Sequence, residues 1–81
     1  MNQTTQTELM PSTIFRALYR PSKKVECVRL FKKLYYSYNT LEDATDALKE
    51  MSKIIYYNAL PLNLTLESSV SNHIIIVKPK Q

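Results

Sequence analysis

The sequence predicts an α+β domain in which a two-helix antiparallel hairpin packs on a small two- or three-stranded sheet, in the order β-α-α-β-β. Three observations predict it. Apolar residues recur at helical spacing between Leu41 and Tyr57, and again between Ser22 and Tyr38. Only Asn39 and Thr40 separate these stretches, a link short enough to make the helices antiparallel neighbours. Past Asn58 the apolar spacing changes to alternation, as a half-buried strand requires.

The first element is a strand over residues 13–20. Alternation puts Phe15, Ala17 and Tyr19 on one side, and Pro21 disfavours a helical Arg20. A short helix over the same residues is the alternative. Before it, residues 1–12 are a polar lead read as a flexible tail, so the domain itself spans 13–79.

Ser22 to Tyr38 reads as a helix. Val25, Val28, Phe31, Leu34, Tyr35 and Tyr38 gather on one side, with Glu26, Arg29, Lys33 and Ser37 opposite. Two strands hinged near Lys32 and Lys33 compete with it, because Val and Tyr suit strands. The helix over Leu41–Tyr57 is clearer. Leu41, Ala44, Ala47, Leu48, Met51, Ile54 and Ile55 form its stripe. Thr40 is its N-cap, and Glu42 and Asp43 face the positive end of its dipole. Asn58 and Pro61 end it. Leu62, Leu64 and Leu66 then alternate with polar residues. Ser68 to Asn72 forms a turn, and His73 to Lys78 is a last strand, apolar on both faces at Ile74–Val77.

The chain contains no glycine. Glycine-rich phosphate loops are therefore excluded, and left-handed turns fall to other residues, with Asn39, Asn58 and Asn72 the natural candidates. The order β-α-α-β-β compares with the KH type of nucleic-acid domain. Its backbone-gripping loop needs GXXG, and the equivalent link here reads Tyr38-Asn39-Thr40-Leu41.

No catalytic residue emerges. The single histidine, His73, has no nucleophile at a motif spacing, and the acids of 42–50 are accounted for by capping and solvation. One cysteine, Cys27, and one histidine cannot form a metal site, so neither metal nor cofactor is expected. Cys27 also has no partner for an internal disulfide, which suits a reducing compartment: the cytoplasm, or a host cytoplasm. No apolar run approaches the length of a bilayer span, so no membrane is expected.

Charge is the informative asymmetry. Seven of eleven basic residues fall between Arg16 and Lys33 against one acid, giving +6, whereas residues 41–50 carry −3. Arg16, Arg20, Lys23, Arg29 and Lys33 are the candidates for holding a nucleic acid or an acidic partner. Tyr19, Tyr36 and Tyr57 are the candidate interface aromatics. The expected function is a small non-catalytic interaction protein, an adaptor or regulator binding another protein. A nucleic-acid-binding module using the basic stretch is the alternative. A homodimer is compatible with both.

Overall fold

A computed structural model describes residues 10–69 and 73–80. It is α+β, but the order is α-β-β-α-β-β on a four-stranded antiparallel sheet. The β-α-α-β-β order, the helical hairpin and the two- or three-stranded sheet are overturned, and with them the comparison to the KH order. Two element assignments failed, both in the first half of the chain.

Of residues 13–20, the first six are helical rather than extended. Helix α1 spans Pro11–Leu18, with Pro11 in its first turn. A proline there is pre-organised for the helix and its missing N–H is not needed. Pro21 acts only at the far end, where Tyr19 is already extended and its N–H closes onto the Phe15 carbonyl at 2.8 Å. Pro11 and Ser12, read as tail, belong to α1; residues 1–9 lie outside the described residues.

The stretch Ser22–Tyr38 is a hairpin of two strands, not a helix. Strands β1 (Val25–Leu30) and β2 (Lys33–Tyr38) pair antiparallel, with Leu30 opposite Lys33. The alternating burial of β2 explains why. Leu34, Tyr36 and Tyr38 are buried, whereas Lys33, Tyr35 and Ser37 are not. A helix would have split the buried set over two sides.

Helix α2 covers Leu41–Tyr57 as expected, and Thr40 caps it by accepting the Asp43 N–H at 3.0 Å. Ala44, Ala47 and Met51 are its buried residues. A single further turn, α3 (Ala59–Leu62), follows. The left-handed stop after it is Asn63, with φ 49°, whereas Asn58 keeps φ −123°. Asn39 is not left-handed either, and Asn72 lies outside the described residues. Strands β3 (Leu64–Ser69) and β4 (Ile74–Pro79) form the second hairpin; residues 70–72 of the expected turn are outside the described residues.

The sheet order is β1-β2-β4-β3. Because each neighbouring pair is antiparallel, β2 and β3 run parallel with β4 between them, and α2 is the crossover. The helices pack on one face. Phe15 and Tyr19 of the α1 segment meet Tyr36 edge-on, at centroid distances of 6.3 and 5.4 Å. Leu34, Met51, Leu62, Leu64, Ile75 and Val77 complete a single core layer.

Candidate functional site

Register decides which side chains share a face. Cys27 lies opposite Tyr36 and Arg29 opposite Leu34, so Val25, Cys27 and Arg29 lie on the helix-covered side. The other face carries rows that run across the strands. Val28 sits beside Tyr35, Tyr35 beside Ile76, and Ile76 beside Glu67. The next row is Glu26, Ser37, Ile74 and Ser69. Leu30 sits beside Lys33 at the hairpin end, and Thr65 beside Lys78.

No element among the described residues packs on this face. Val28 and Leu30 are 54% and 52% exposed, while Tyr35, Ile74 and Ile76 are half-buried by their neighbours alone. Its charges balance: Glu26 and Glu67 against Lys33 and Lys78. Lys78 binds Glu67 at 2.6 Å and, with Lys33 nearby, holds that carboxyl below its usual value.

Phe31 extends the apolar face at the tip of the β1–β2 hairpin. It is 93% exposed and has φ 57°. This is the first residue of a two-residue hairpin loop, the position where a type II′ turn takes glycine. Holding a phenylalanine there costs roughly 1–2 kcal/mol. With no glycine in the chain, the turn carries that strain and presents a bulky ring to solvent. An open groove of about 740 Å³ lies beside it, lined by Met10, Leu30, Lys32, Tyr35 and Pro79 among others.

The sheet divides the basic candidates, with Lys33 on the face opposite Arg29. Arg16 and Arg20 are exposed on and just after α1. Lys23 pairs with Asp43 at 3.3 Å. Arg29 lies on the helix side, with a guanidinium nitrogen 3.0 Å from the Met10 sulfur. Lys33 lies on the opposite face, so Arg29 and Lys33 are not one helical turn apart.

Of the three aromatic candidates only Tyr57 is on the surface. Tyr19 and Tyr36 are buried in the core, and Tyr57 is exposed on α2 against Tyr56. Burial raises the pKa of Tyr19, Tyr36 and Tyr38 above the ordinary tyrosine value. The Tyr36 hydroxyl has no hydrogen-bond partner among the described residues, with Cys27, Arg16 and Tyr19 among the side chains close enough to influence it.

No group of three His, Cys, Asp or Glu side chains among the described residues is arranged to hold a metal ion. No helix among them is long and apolar enough to cross a membrane. Sequence reasoning missed Val28, Phe31 and Tyr35 as surface residues because it assigned them to a helix stripe, and it gave Leu30 no role. The available signal was Ile74–Val77, apolar on both faces, in a chain with helices enough for one. Comparison of the chain with protein-family models, with curated proteins and with solved structures found no match.

Proposed function

We propose that this chain is a small non-catalytic interaction protein that binds another protein through the open face of its sheet. The observation that carries this reading is the contiguous patch of Val28, Leu30, Tyr35, Ile74 and Ile76 with Phe31 at its end. Exposed apolar patches of this kind mark interaction surfaces on soluble domains. The balanced charges of the face favour an apolar partner surface over a phosphate backbone.

Magnitudes indicate what Phe31 adds. Covering five side chains already about half-buried returns roughly 4–7 kcal/mol. Association itself costs about 4–15 kcal/mol. The patch alone therefore supports a weak contact, and a fully exposed ring is the anchor that could make it specific. The nucleic-acid alternative loses support, because Lys33 lies on the face opposite Arg29 and Lys23 already has an acidic neighbour.

A photo-crosslinking amino acid at Tyr35 tests the reading in cells. It should trap a discrete protein adduct that survives nuclease and disappears in Val28→Glu. The same group at Tyr57 should not trap that protein. An adduct destroyed by nuclease, or one unaffected by Val28→Glu, would overturn the proposal.

A further inference from the structure

The free edge of β3 raises a question separate from the open face. In an antiparallel ladder, residues alternate between pairs that exchange both main-chain bonds and pairs that exchange none. The Lys80 N–H donates to the Asn63 carbonyl at 2.9 Å, just beyond the first β3–β4 pair, Leu64 with Pro79. The bonded pairs along the hairpin are then Thr65 with Lys78, Glu67 with Ile76, and Ser69 with Ile74. Leu64, Leu66 and Ser68 consequently direct their N–H and C=O groups away from β4, and of these Ser68 is exposed, Leu66 partly exposed and Leu64 almost inaccessible. Among the described residues no strand lies beyond β3.

Beside this edge is a groove of about 440 Å³ between β3 and the end of α2. Ile55, Tyr56, Ala59, Leu64 and Leu66 supply apolar walls, Lys80 supplies a positive charge, and no acid lines the groove among the described residues. Tyr56 is 76% exposed, which leaves its ring available to a ligand. Each feature specifies something about an occupant. Unpaired main-chain groups along an edge are satisfied by another extended strand. Apolar walls on one side accept every second side chain of that strand. A cation without an acid favours a carboxylate at one end.

We infer that the β3 edge binds an extended segment of another protein as a fifth strand, one with alternating apolar side chains and an acidic residue toward Lys80. This inference does not rest on the open-face reading, since Tyr56, Ser68 and Lys80 are not part of that patch.

Proline at Ser68 is the discriminating substitution. It removes an outward N–H and an exposed side chain, while the bonds of β3 to β4 stay intact. A displayed library of random peptides of about ten residues, long enough to span the strand, provides the probe. Selection on the full chain should enrich alternating apolar peptides that carry Asp or Glu. Their affinity should fall about fivefold to tenfold for Ser68→Pro, as expected for one lost edge hydrogen bond. Tyr56→Asp should weaken them as well, and Lys80→Glu should switch the enriched charge to Lys or Arg. Hydrogen exchange of β4 amides should be unchanged in Ser68→Pro, which shows that the fold is retained. Failure to enrich an alternating motif, or equal binding by Ser68→Pro, overturns the inference. So does sedimentation as a dimer that Ser68→Pro converts to monomer, which would make a second copy the occupant.

Discussion

The hydroxyls of Tyr19 and Tyr38 meet 3.0 Å apart in a buried bond that ties the end of α1 to the last residue of β2. Each is the other's partner, and both rings are nearly inaccessible. Removing one hydroxyl should therefore be worse than removing both. Tyr38→Phe strands the Tyr19 hydroxyl and should cost about 1–3 kcal/mol in urea unfolding, whereas the Tyr19→Phe, Tyr38→Phe double variant should lie closer to the parent. Independent, additive costs would show that the bond does not couple the two elements.

The same burial sets a pH dependence. Tyr19, Tyr36 and Tyr38 all resist ionisation in the folded chain, chiefly through desolvation. Their folded pKa values lie above the unfolded value of about 10, so the stability they contribute is fully present below it. It is lost as pH rises beyond that value, because the unfolded chain releases these protons first. Chemical denaturation across the alkaline range should show stability falling above pH of about 10, and Tyr36→Phe should flatten the fall. A steeper fall in Tyr36→Phe would contradict the assignment.

Met51 and Leu48 are neighbours on α2 with different burial. Met51 is fully inaccessible, and Leu48 is only half-buried. Met51→Ala should cost about 2–5 kcal/mol, with thermal unfolding as the measure. Leu48→Ala should cost less than half of that. Reversal of this order would mean that α2 is rotated about its axis.

Thr40 offers a narrower test. Thr40→Ala frees the Asp43 N–H and should lose about 0.5–2 kcal/mol, while Thr40→Asp should be tolerated. Equal stability of the parent and the alanine variant would place the start of the helix elsewhere.

Phe31 should show a trade between stability and binding. Asparagine tolerates the left-handed region, so Phe31→Asn should hold or raise stability by up to about 1 kcal/mol. The same change should weaken partner capture through the open face. A variant that is destabilised yet binds normally would show that the ring serves the fold rather than a partner.

Local chemistry alone determined the elements whose signals do not depend on distant neighbours. The stripe of Ala44, Ala47 and Met51, together with the Thr40 cap, needs only one helix to be read, and α2 spans Leu41–Tyr57 accordingly. The alternation of Leu62, Leu64 and Leu66 likewise marked β3, although Leu62 closes the helical turn before it. The tertiary structure decided the rest. Between Val25 and Tyr38 both faces of the hairpin are rich in apolar residues, so Val28, Leu34, Tyr35 and Tyr38 satisfy a helical spacing as well as Leu34, Tyr36 and Tyr38 satisfy an alternating one. What separates the two is β4, where Ile75 and Val77 pair with Tyr36 and Leu34 from about forty residues away. No local window contains that contact. The open face was hidden for the same reason: its side chains become neighbours only once β1, β2 and β4 are laid side by side. Phe31 gave no turn signal of its own, because the hairpin is closed by strand pairing on either side and not by the preference of the residue at its tip.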